Sequence, residues 1–189
     1  DQARAQHGRN AGRPQVGVEK SVFVHHRFCR SIGRVGRQRH HGRAQFIAAA
    51  LAAGQDARAL SPETSHGGGR LTALMIASKG GHAGAALALV AADPGLAPLA
   101  DAHGVTACHL ACLFGRAEVL GLLLDASPAL AEARTADDGK APLHCACQAA
   151  DPGGTACAAL LLSRGASADA RDASGGTPLM AASAAGRLA

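Results

Sequence analysis

Between Asp101 and Asp125 the chain reads DAHGVTACHLACLFGRAEVLGLLLD. Gly104 and Thr106 bracket a tight turn. A short helix is expected after it, with Leu110 and Ala111 apolar or small on one side. Gly115 breaks that helix. A second helix is expected from Glu118 to Asp125, carrying Val119, Leu120, Leu122, Leu123 and Leu124 as core candidates. Turn, helix, turn, helix is a unit with two apolar faces. Alone it cannot bury them, so it demands similar units stacked on either side.

Those units are present. The Thr106 turn has counterparts at Thr72, Ala141 and Thr177, which puts 34, 35 and 36 residues between successive turns. The chain reads LTALMIASKGGHAGAALALV from Leu71, GKAPLHCACQA around Ala141 and GGTPLMAASAAGR around Thr177. The outgoing loops repeat as well: Pro94 and Leu96 recur as Pro128 and Leu130. The period is close to the roughly 33 residues of an ankyrin unit. The T-P-L-H-x-A signature of that family is nearly whole at Ala141 to Ala146 and at Thr177 to Ala182. From about Gly42 to Ala189 the chain resembles the ankyrin-repeat family. The resemblance implies an all-α solenoid of stacked helix-turn-helix units with β-turn tips.

Composition agrees with such a stack. The 189 residues include four Phe and neither Tyr nor Trp. A compact single-core domain usually buries large rings. Helices built from Ala and Leu approach closely without them. The net charge of +5 is unevenly spread. In residues 1–45, ten Lys or Arg face two acidic residues, and in the remainder nine face twelve. Six cysteines occur, five of them in expected repeat helices. They read as free thiols in a reducing compartment, without a disulfide framework. No apolar run reaches the roughly 20 residues that cross a bilayer, and nothing resembles a secretory signal. An intracellular, cytoplasmic protein is expected. The chain begins without Met and stops inside a repeat, so it reads as a fragment.

Residues 1–41 show no helical or strand period and are rich in Arg, Gly, Gln and His. They are expected to form a disordered basic arm. Residues 42–189 are expected to form the array. Its units are a partial repeat at about 42–66, full repeats at 67–100, 101–135 and 136–171, and a partial repeat at 172–189. The first unit lacks an apolar first helix in its GRVGRQRHH stretch. The third full repeat carries extra residues, including Asp151 and Pro152, between its two helices.

Motifs for chemistry are few. His109 and His144 occupy the fourth place of the signature, where the resemblance implies a bridge between backbone groups of adjacent turns. Neither has a nucleophile and base-orienter arrangement around it. Cys108 and Cys112 loosely match a zinc-ligand spacing, but both occupy helix-packing places. His25, His26, Cys29, His40 and His41 form a weaker cluster in the arm. No phosphate loop, nucleophile elbow or H-E-x-x-H motif occurs. No metal, no cofactor and no catalytic activity are expected.

The resemblance implies protein binding along a concave surface, with contacts from the turn tips and from the exposed side of each first helix. Carried onto this chain, the tip candidates are Leu71, His103, Val105, Asp137, Asp138 and Lys140, flanked by Ala102, Ser174 and Gly176. The helix candidates are Lys79, Leu113, Phe114 and Gln148. Phe114 has a second reading as ordinary packing against the next repeat. The expected partner is a protein. One alternative is a regulatory segment of a larger enzyme or channel. The other is nucleic-acid binding through the basic arm, although the arm lacks interleaved aromatics and no nucleic-acid module accompanies it.

Overall fold

In a computed structural model, the structure describes residue 58 and residues 71–149 and 152–186. The basic arm, the 42–66 unit apart from Arg58, the His25–Cys29 and His40–His41 clusters and Asp151 lie outside the described residues. Seven α-helices and two short 3-10 turns are described, with no strand. The helices are α1 (Ala73–Gly80), α2 (Ala83–Ala92), α3 (Ala107–Leu113), α4 (Ala117–Ala126), α5 (Pro142–Gln148), α6 (Gly153–Ser163) and α7 (Pro178–Ala184). The 3-10 turns Pro94–Leu96 and Pro128–Glu132 follow α2 and α4.

The odd-numbered helices pack in a row, each on the next, and α2, α4 and α6 form a second row behind them. Within each of the three complete units the two helices also pack on each other. This is the stacked solenoid expected from the period. Local chemistry starts each inner helix. The Thr72 hydroxyl caps α1 by accepting from the Met75 N–H at 3.3 Å, which satisfies one donor that a helix start leaves unpaired. Pro142 and Pro178 open α5 and α7, where a missing N–H removes nothing. Gly81 ends α1 with φ at 72°, in the left-handed region where glycine is favoured.

The core runs continuously through the stack. Leu74, Met75 and Ile76 of α1, Leu110 of α3, Val119, Leu120, Leu123 and Leu124 of α4 and Leu161 of α6 are all buried. Between them the inner helices place small side chains: Ala77, Cys108, Ala111 and Cys112. Small residues let backbones approach, and this is why a chain nearly free of aromatics packs well. The described cysteines are free thiols, four of them buried. Burial raises Cys112 well above the ordinary thiol range.

Two expectations about burial change. Leu122 is half-buried rather than a core residue. The inward stripe of α4 is Val119, Leu120, Leu123 and Leu124, and Leu122 falls on the flank of that stripe at helical spacing. Leu71 is 0% exposed, so it is not an exposed tip residue. It precedes the Thr72 cap and shares a core cluster with Ile76 in the next turn. That placement is a hydrophobic staple, which folds the residue before a cap back onto the helix.

The α5–α6 connection is longer than its counterpart between α3 and α4. Helix α6 begins at Gly153, so close to the preceding repeat that a Cβ there would collide with the carbonyl of Gly115. Glycine is therefore required by space at the point where the insert rejoins the stack.

Candidate functional site

Each inner helix is preceded by a tip, and the tips are tied to one another. In the first fully described tip, one carboxylate oxygen of Asp101 accepts from the N–H groups of His103 and Val105, each at 2.9 Å. Asp172 does the same in the last tip, for Ser174 at 2.9 Å and Gly176 at 2.7 Å. The Ser174 hydroxyl also donates to Asp172 at 2.6 Å, and this bond first, with the backbone N–H bonds behind it, holds the Asp172 carboxyl below its ordinary range. The middle tip is closed differently. Ala136 stands where an aspartate would, and the Thr135 hydroxyl accepts from the Lys140 N–H at 2.8 Å. Neighbouring tips join through the Ala136 N–H to His103 C=O bond at 2.7 Å and the Ala173 N–H to Asp138 C=O bond at 2.9 Å.

Two buried histidines lock the tips to the helices. His109 Nδ1 accepts from the Thr106 N–H at 3.2 Å, and its Nε2 lies 3.1 Å from the Lys140 carbonyl of the next tip. His144 repeats the pattern with the Ala141 N–H at 3.2 Å and the Gly176 carbonyl at 3.2 Å. An Nδ1 that accepts and an Nε2 that donates define one neutral tautomer. Burial pushes His109 below the ordinary histidine range, against the smaller opposing pull of the Lys140 carbonyl.

Between the tips and the inner helices lies a groove of about 260 Å³. Seven of the ten contact candidates line it: His103, Val105, Leu113, Asp137, Asp138, Lys140 and Gln148. Buried His109, Leu110, Thr135 and Cys145 form its floor. The sequence reading missed these four because signature positions look purely structural. The other three candidates stand elsewhere. Leu71 is in the core. Phe114 caps α3 and is half-buried against the core, and the Lys79 ammonium lies 5.6 Å from its ring centroid. That is a cation–π distance, so Lys79 and Phe114 pair with each other, and neither lines the groove.

The rim is charged. The Lys140 ammonium lies 2.7 Å from Asp138 Oδ2, and the Thr135 hydroxyl donates to Asp138 Oδ1 at 2.7 Å. The Lys140 contact is the main reason that the Asp138 carboxyl is held below its ordinary range and that Lys140 is raised above its own. Both side chains are partly exposed, so solvent screens the pair. Asp137 Oδ2 lies 2.6 Å from His103 Nδ1. In the floor, burial pushes the Cys145 thiol up to about 12. A thiol so raised stays protonated at neutral pH and is a poor nucleophile. The groove thus offers apolar contact and charge for recognition. Among the described residues no cluster of three or more His, Cys, Asp or Glu is placed to hold a metal ion. No described helix is long and apolar enough to cross a membrane.

The family described as Ankyrin repeats (3 copies) matches residues 40–135, and a further Ankyrin repeat matches residues 138–173. The chain belongs to the ankyrin-repeat family. Zinc finger CCCH domain-containing protein 33 of Oryza sativa subsp. japonica is 43% identical over 70 residues. That similarity covers 37% of this chain and 12% of the relative. Ankyrin repeats generally mediate protein–protein interaction, and their domains are typically non-catalytic.

Proposed function

We propose that this ankyrin array is a non-catalytic interaction module that binds a protein partner on its concave face, in the groove between the Asp101 and Asp138 tips. The observation that carries the reading is convergence. Residues separated by up to 45 positions in sequence, from His103 to Gln148, line one cavity with an apolar wall and a charged rim. Such a centre and rim suit a modest protein interface. The free thiols support a reducing, cytoplasmic setting.

The rice relative bears a CCCH zinc finger in its name, and the match spans 12% of its length. This supports reading the array as the interaction segment of a larger protein. The test is partner capture by the chain and by a Leu113→Ala, Gln148→Ala double variant. Because Leu113 is half-buried against the core, we expect the variant to melt about 2–4 °C below the parent while remaining folded, and to lose the partners that the parent retains. Undiminished capture by the variant would place binding elsewhere.

A further inference from the structure

The middle tip differs from its neighbours in how its carboxylates are used. In the flanking tips the acidic side chain, Asp101 or Asp172, is occupied by backbone N–H groups of its own turn. In the middle tip Thr135 closes the turn, and two carboxylates are left on the rim. They are not equivalent. Asp138 meets the Lys140 ammonium on one oxygen and the Thr135 hydroxyl on the other, so its charge is compensated within the tip. Asp137 meets His103 through one oxygen, and that imidazole carries charge only when protonated. The Asp137 side chain is 64% exposed. At the same place in the flanking tips stand Ala102 and Ala173. Asp137 therefore presents an exposed carboxylate on the rim, and of its several acceptor sites the His103 contact uses one.

Beside that charge lies the apolar wall. Val105 and Leu113 are half-buried, with Leu110 beneath them. Resting on the reading of this groove as the binding face, we propose that its occupant is a partner peptide segment that sets an aliphatic side chain against Val105 and Leu113 and an adjacent lysine or arginine on Asp137. Charge complementarity selects the cation, and arginine has the better geometry because its planar fork matches a carboxylate. Asp138 plays no part in the selection, since Lys140 already answers it.

The test is selection of a random heptapeptide display library on the whole chain, repeated on Asp137→Asn and on Leu113→Ala. Circular dichroism melts establish that each variant folds. We expect parent-selected peptides to be enriched in an aliphatic residue next to Arg or Lys. On Asp137→Asn the basic preference disappears and the aliphatic one persists. Individual peptides should bind that variant about two- to five-fold more weakly at low salt, the size of a rim ion pair, and the difference should shrink at 0.5 M salt. Leu113→Ala should remove the aliphatic preference. Peptides that depend on Leu113 but show no basic preference, or an acidic one, would overturn the proposed chemistry and leave the binding face standing. Peptides indifferent to both substitutions, or no selected peptides at all, would overturn both.

Discussion

Helices α5 and α7 begin with the same Pro-Leu pair, yet they live in different surroundings. Leu143 in α5 is buried, and its equivalent in α7, Leu179, is 65% exposed. His144 is buried and joins the Gly176 tip, whereas Met180 at the same place is 59% exposed. The difference is not in the helices. Helix α5 has α3 on one side and α7 on the other, with α6 behind it, while α7 packs on α5. A repeat becomes core only when a neighbour covers it, and the signature supplies no burial by itself.

The sharpest way to break that comparison is a pair of leucine truncations followed by urea unfolding. Leu123 is fully buried between repeats, and Leu123→Ala should destabilise the chain by about 2–5 kcal/mol. Leu179→Ala should change stability by less than about 0.5 kcal/mol, as exposed positions do. Equal effects would mean that α7 is covered in solution.

The second prediction concerns pH. The signature histidine is held neutral by burial at His109, and the α7 equivalent, Met180, cannot titrate. A base with a depressed folded pKa binds fewer protons folded than unfolded, so its contribution falls as pH drops. Stability should therefore decline as pH falls below the ordinary histidine range and down through the depressed folded value of His109. Urea midpoints at pH 7.5 and 5 measure this. His109→Gln should flatten that part of the profile, and an unchanged slope would assign the decline to other groups.

The smallest effect sharpens the comparison within one helix. Leu122 is half-buried on α4, next to fully buried Leu123. Leu122→Ala should therefore cost about 1 kcal/mol, well below its neighbour, because fewer atoms leave the core and the gap opens to solvent. An effect as large as that of Leu123→Ala would rotate the α4 stripe by one residue.

Much of the architecture was legible because it is local and repeated. Four turns at nearly constant spacing located each described inner helix, and Gly104, with φ at 74°, marks a tip that only glycine fits. A Cβ there would strike the Ala136 backbone of the next tip. Phase along each helix was less legible. A run such as Val119 to Leu124 is apolar nearly throughout, so hydrophobicity alone could not separate Leu122 from Leu123. Leu71 carries a related ambiguity: a residue before a cap can point to solvent or fold back, and the choice depends on what lies beneath it. Of the groove, the outward positions were legible from repeat phase, and the floor was not. His109 and Cys145 both line it because the groove is formed jointly by the Asp101 and Asp138 repeats, which no single unit contains.

The sequence by itself determined the repeat, its period, its caps and the histidines that tie helix to tip. These depend on contacts between residues close in the chain or one period apart. Only the tertiary structure decided which leucines are core, which of two adjacent aspartates is neutralised by Lys140 and which meets an imidazole instead. The physical reason is that burial and electrostatic compensation are properties of neighbours. Asp137 and Asp138 are chemically identical in sequence, and they differ because one lies beside an ammonium and a threonine hydroxyl and the other beside an imidazole of the preceding repeat.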